Sequence, residues 1–76
     1  MIRVKLYGLL RIESGIKERQ LEAATVKEVL EDLERCGIPR KKLDATVILV
    51  NGKNVNKRSK LSDGDTVVLM SPVAGG

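Results

Sequence analysis

Ile2, Val4 and Leu6 alternate with Arg3, Lys5 and Tyr7, the period of two that a strand with one buried face requires. Gly8 ends this strand. A second strand is expected over Glu18 to Ala23, with Leu21 and Ala23 inward, Gln20 and Glu22 outward, and Ser14-Gly15 supplying turn chemistry before it. The period then changes. Val26, Val29, Leu30 and Leu33 fall at i, i+3, i+4 and i+7, while Lys27, Glu28, Glu31, Asp32 and Glu34 take the other face, which predicts an amphipathic helix. Thr25 with Glu28 three residues later fits a capping box at its start; Gly37 suits the left-handed position that closes it, and Pro39 bars continuation.

Thr46 to Val50 is a continuous β-branched and apolar run, and the Asn51-Gly52 that follows is a strong hairpin signal. A short strand around Lys53 to Val55 should pair back. Asn56 to Leu61 is polar and expected to be irregular, Ser62-Asp63-Gly64-Asp65 forms a turn, and Thr66 to Met70 forms the last strand. One helix covers one face of such a sheet, so the pattern implies a two-layer α+β domain. Leu21, Val47, Leu49, Val67 and Leu69 are expected to meet the helix stripe, leaving Ile48, Val50, Val68 and Met70 on the far face. Those four residues read either as ordinary central-strand hydrophobicity or as a partner-binding surface.

Composition narrows the chemistry. The 76 residues suffice for one hydrophobic core, placing the folded domain over 1–71 and a flexible tail over 72–76. No run approaches the length of a membrane span and the opening is unlike a signal peptide, so a cytoplasmic location is expected. There is one cysteine and no histidine, which removes internal disulfides, the common Cys/His metal sets and histidine-activated nucleophiles. Cys36, near the expected helix C-terminus, reads as a buried structural thiol. Asp63 and Asp65 read as turn formers, since two carboxylates are too few ligands for a calcium site. The net charge of +4 and the runs Arg40-Lys41-Lys42 and Lys57-Arg58-Ser59-Lys60 raise an RNA-binding alternative. Tyr7 is the only aromatic residue, so stacking platforms for single strands are missing and nucleic acid is the weaker reading.

The remaining reactive group is at the end of the sequence. Pro72 lacks an N–H, so the last strand's ladder is expected to stop near Ser71, and Val73-Ala74-Gly75-Gly76 should project. Glycine's missing Cβ lets extended backbone enter a narrow channel and leaves a terminal carboxylate open on both sides. A carboxylate becomes an acyl donor once adenylated. The chain has no phosphate-binding loop of its own, so an ATP site would belong to a partner.

Tyr7-Gly8-Leu9-Leu10-Arg11, Thr25-Val26, Leu61-Ser62-Asp63-Gly64-Asp65 and Ser71-Pro72-Val73-Ala74-Gly75-Gly76 together resemble the ubiquitin-like β-grasp sulfur carriers of the MoaD and ThiS type, above all the small subunits of molybdopterin synthase. The resemblance spans the chain. It implies a β-grasp fold, a mixed sheet of four to five strands packed on one main helix. It further implies a non-catalytic sulfur-donating subunit with no bound cofactor, ATP and Mg²⁺ being used by an E1-like adenylyltransferase of the MoeB/ThiF type. Gly76 would carry the acyl-adenylate and then a thiocarboxylate, its sulfur coming from a sulfur donor protein. Pro72, Val73, Ala74 and Gly75 would form the tail inserted into the MoaE-type large subunit, which passes sulfur to precursor Z. Val68 and Met70 would lie in the apolar contact patch. Small subunits of this type often carry phenylalanines in the first and last strands and two prolines before the tail; this sequence has no Phe and reads Ser71-Pro72. The thiazole-synthesis carrier and the archaeal ubiquitin-like modifiers remain as alternatives sharing the fold and the Gly-Gly end.

Overall fold

The computed structural model describes residues 1–71. Its elements in chain order are β1 (Ile2–Tyr7), α1 (Leu9–Ser14), β2 (Glu18–Leu21), α2 (Val26–Arg35), α3 (Arg40–Asp44), β3 (Val47–Val50), β4 (Lys53–Asn54) and β5 (Thr66–Met70). The strands form one mixed sheet in the order β2-β1-β5-β3-β4, with β1 and β5 parallel at its centre and the other neighbours antiparallel. This is a ubiquitin-like β-grasp.

The main helix forms where its period and caps place it. The Thr25 hydroxyl accepts the Glu28 N–H at 3.3 Å, and the Glu28 carboxylate accepts the Ala24 N–H at 2.6 Å, one residue upstream of the usual capping-box partner. The 56–61 segment has a definite task here, because the carbonyls of Ser59 and Lys57 accept the Val26 and Lys27 N–H groups that a helix start leaves unpaired. At the other end Gly37 adopts φ +107°, its N–H bonds the Glu34 carbonyl, and the Ile38 N–H bonds the Leu33 carbonyl at 3.2 Å. That is a Schellman closure, and it folds Ile38 back onto Leu33. Ile38 therefore completes the core at this end, while Cys36, at the C-cap, is exposed. The expected buried thiol is corrected on this point.

The core lies between α2 and one face of the sheet. Val26, Val29, Leu30 and Leu33 of α2 pack with Ile2, Val4 and Leu6 of β1, Val67 and Leu69 of β5, Ile48 of β3, and Leu10 and Leu43 of the short helices. Among the described residues no polar side chain is buried with them. The facing of β3 is the reverse of the sequence expectation. Antiparallel pairing sets Ile48 opposite Leu69 and Val50 opposite Val67, so Ile48 and Val50 share the core face, and Val47 and Leu49 take the outer one. In an unbroken apolar run, alternation carries no parity, and only the register with β5 decides it. Ile48 and Val50 are thereby removed from the candidate partner surface: Ile48 is 8% exposed and Val50 packs against the core.

Two polar contacts fix the frame. Arg19 of β2 donates two bonds to the Asp32 carboxylate of α2, at 2.5 and 3.2 Å, tying the edge strand to the helix. The Asp32 side chain is only 15% exposed, and the bond from Arg19 holds its carboxyl below the usual carboxylate range. Asn51, at φ +51° in the β3–β4 turn, donates to Asp65 at 3.0 Å and accepts the Thr66 N–H at 3.1 Å, pinning that turn to the start of β5. The Ser62 N–H and Asn51 likewise lower the Asp65 carboxyl.

Ile48→Ala should cost about 2–4 kcal/mol in denaturant unfolding, because it opens a cavity in the core. Val47→Ala, its neighbour on the outer face, should cost under about 1 kcal/mol; equal costs would contradict the assigned register. Because Asp32 ionises more readily folded than unfolded, its contribution is complete above the unfolded carboxyl range and is lost as pH falls through the lower folded value. Asp32→Asn should therefore lower stability at neutral pH and flatten the acid limb of a stability–pH profile, while an unchanged slope would exclude Asp32 as a source of the acid sensitivity.

Candidate functional site

The outer face of the sheet grades from polar to apolar along the strands. Its first rung carries Gln20, Arg3 and Thr66, which are cross-strand neighbours. The next carries Glu18, Lys5, Val68, Leu49 and Asn54. The last carries Tyr7, Met70 and Val47. Arg3 pairs with Glu18 at 3.4 Å, keeping charge at the β2 side. Tyr7 is 41% exposed and Val47 38%, while Val68, Leu49 and Met70 are half-buried. The apolar rung is thus the one at the end of β5, adjoining Ser71.

Helix α1 extends apolar exposure to the same end of the molecule. It follows Tyr7 after the single residue Gly8, and it was not foreseen because six residues are too short to show a helical period. Leu10 points into the core, but Leu9 is 49% exposed and Ile12 75%. Ser71 meets this helix directly: its hydroxyl oxygen accepts the Leu10 N–H at 2.8 Å. Leu9, Leu10, Glu13, Lys42, Ala45 and Ser71 line an open groove of about 250 Å³ beside that bond. The end of β5 is therefore bordered by apolar side chains from the sheet on one side and from α1 on another.

Of the residues singled out from sequence, Val68 and Met70 lie on this outer face as expected. Pro72, Val73, Ala74, Gly75 and Gly76 lie outside the described residues. Tyr7, Val47, Leu49, Leu9 and Ile12 were missed as surface residues. The β1 alternation already pointed Tyr7 outward, but no comparable signal existed for the β3 pair. Asp65 serves the turn, as expected. The basic runs are partly neutralised within the fold: Lys57 reaches Asp44 at 2.6 Å, Arg40 pairs with Asp44 and Glu34 at 3.3 and 3.5 Å, and Lys42 pairs with Glu13 at 2.5 Å. Lys57 foremost, then Arg40, holds the Asp44 carboxyl below its ordinary range. Such engaged charges suit loop fixation better than phosphate binding. Among the described residues no group of three or more acidic or cysteine side chains gathers to hold a metal, and no helix is long and apolar enough to cross a membrane.

Comparison with known proteins gives this geometry a context. A structure of the complex of subunits 1 and 2 of molybdopterin-converting factor from Helicobacter pylori 26695 contains a chain 25% identical to this one, at a TM-score of 0.77 over 99% of this chain and 97% of that one. The Amycolatopsis orientalis BexX/CysO complex contains a chain 28% identical, with a TM-score of 0.77 and full coverage of both (100% and 100%). Small archaeal modifier protein 1 from Methanosarcina acetivorans is 27% identical, with a TM-score of 0.80 over 99% and 95% of the two chains. No curated protein matches the sequence. The profile of the ThiS family matches residues 4–76, from the first strand through the glycine pair, and the chain belongs to that family of ubiquitin-like sulfur carriers.

Proposed function

We propose that this protein is a sulfur carrier of the molybdopterin synthase small-subunit type, loaded at the carboxylate of Gly76. The observation that carries this reading is the position of the exposed apolar surface. It borders Ser71, the residue from which the segment ending in Gly75-Gly76 continues, and the family match runs through those glycines. Similarity to a chain in the two-subunit Helicobacter pylori complex supports the choice of pathway.

The chemistry needs little from the carrier beyond presentation. A terminal carboxylate ionises at about pH 3.3–3.7 and is a ready oxygen nucleophile at neutral pH. In the active site of an E1-like adenylyltransferase, which supplies ATP and Mg²⁺, the Gly76 carboxylate attacks the α-phosphorus and pyrophosphate leaves. A sulfur donor protein then delivers sulfur to the acyl carbon with loss of AMP, leaving the thiocarboxylate. Residues 72–76 enter the large synthase subunit, where this sulfur passes to precursor Z. Tyr7, Val47, Leu49, Val68 and Met70 form the surface on which both partners dock in turn, and the two glycines keep the acyl group unhindered.

The similarity to the Methanosarcina acetivorans modifier favours one second reading, in which a lysine amine rather than sulfur takes the activated Gly76. Both readings share the adenylation step and part at the acceptor.

Deleting Gly76 should reduce AMP-forming activation by the E1-like enzyme at least about 10²-fold, since the reacting carboxylate is moved by a whole residue, with the fold unchanged by circular dichroism. Equal activation of the truncated chain would refute the reading. Met70→Asp should weaken binding to the E1-like enzyme and to the large subunit at least about tenfold in calorimetric titration, by burying an unpaired charge. Undiminished affinity for both would exclude the outer face as the docking surface.

A further inference from the structure

Helix α1 begins with a defect that a distant residue repairs. Its N-cap is Gly8, which has no side chain to accept the N–H groups of the first turn. Gly8 sits at φ +68° and ψ −149°, a backbone region essentially reserved for glycine. A Cβ there would lie 3.8 Å from the Cβ and N of Ser71, ordinary contact distance, so conformation rather than space demands the glycine. The residue required for this turn thus brings no side-chain acceptor to the helix it starts. The Leu10 N–H, at the position a capping side chain would normally serve, is instead accepted at 2.8 Å by the hydroxyl of Ser71, 61 residues away in sequence.

Ser71 is also the point where the sheet ends. Met70 before it is still paired on both sides, with Tyr7 of β1 and Val47 of β3. Pro72 after it has no N–H with which to continue the ladder. The cross-chain cap is therefore the last polar attachment of the chain to the fold among the described residues. With Met70 held by both neighbours, the bond to Leu10 anchors the Ser71 side chain and restrains rotation about the N–Cα bond of this residue.

We propose that Ser71 is a positioning residue: by capping α1 from the end of β5, its hydroxyl holds the backbone of residue 71, the point from which the sequence runs on to Gly76. In the sulfur-carrier reading, on which the functional consequence rests, this lowers the conformational cost of delivering Gly76 into a partner's channel. Replacing the hydroxyl should affect encounter with the activating enzyme and leave the chemical step alone, because Ser71 stands five residues before Gly76 in the sequence.

The test uses the full chain. A nitroxide is attached at position 75 through Gly75→Cys in a Cys36→Ser background, and its broadening of backbone amide signals is mapped by NMR with Ser, Ala or Thr at position 71. With Ser71 or Ser71→Thr, the broadening should concentrate on one sector of the molecule. With Ser71→Ala it should spread over more of the surface, and the Leu10 amide should exchange faster with solvent. In the chain without the label, Ser71→Ala should raise the KM for adenylation by the E1-like enzyme about threefold to tenfold, the range expected for one lost hydrogen bond. The kcat should not change, and Ser71→Thr should behave as the parent. Identical broadening maps for Ser and Ala would overturn the inference, as would a loss confined to kcat. Failure of the parent chain itself to be adenylated would overturn the sulfur-carrier reading instead, and the broadening maps would still decide the role of Ser71.

Discussion

The parallel pairing of β1 with β5 is the constraint on which the rest of the structure depends. It places the first and last strands side by side at the centre of the sheet, with Val4 beside Val67 and Leu6 beside Leu69 on the face that α2 covers. The same register sets Tyr7 beside Met70 on the opposite face. Because parallel neighbours run in one direction, the end of β1 and the end of β5 coincide, and Gly8 comes to lie against Ser71. Core, outer apolar rung and the position of Ser71 thus follow from one strand pair.

What was legible in the sequence is what local chemistry decides. Thr25 with Glu28, Gly37 before Pro39, and Asn51-Gly52 each specify a backbone geometry within a few residues, and each forms where it was read, the Glu28 carboxylate taking the N–H of Ala24 in place of that of Thr25. The β1 alternation also survives, because charged and apolar residues differ at every step. The facing of β3 was not legible. Val47, Ile48, Leu49 and Val50 differ too little for a pattern to choose a side, and the choice is made by Leu69 and Val67 across the sheet. The same tertiary logic displaces Cys36. An i+3 position after Leu33 would extend the helical stripe, but the helix closes at Cys36 and the chain brings Ile38 to the core instead. The helices α1 and α3, at six and five residues, owe their stability to packing through Leu10 and Leu43 rather than to propensity.

Of the candidate site, the outer face that borders Ser71 was legible in part. A sequence with no histidine and one cysteine directs attention to the carboxylate of Gly76, the group on which the proposed function rests. In the proposed function that group needs a partner with ATP and a surface on which the partner can sit. Val68 and Met70 lie on the outer face of the sheet, and Val47 and Leu49 share that face in place of Ile48 and Val50. Membership of the ThiS family supports the proposed carrier role.

The most direct test of the sulfur-carrier account is the intact mass of the protein isolated from its native cells under conditions that preserve thioacids. The account predicts a population in which one oxygen of the Gly76 carboxylate is replaced by sulfur. Gly76 found joined to lysine side chains, with no thiocarboxylate at any stage of growth, would contradict it.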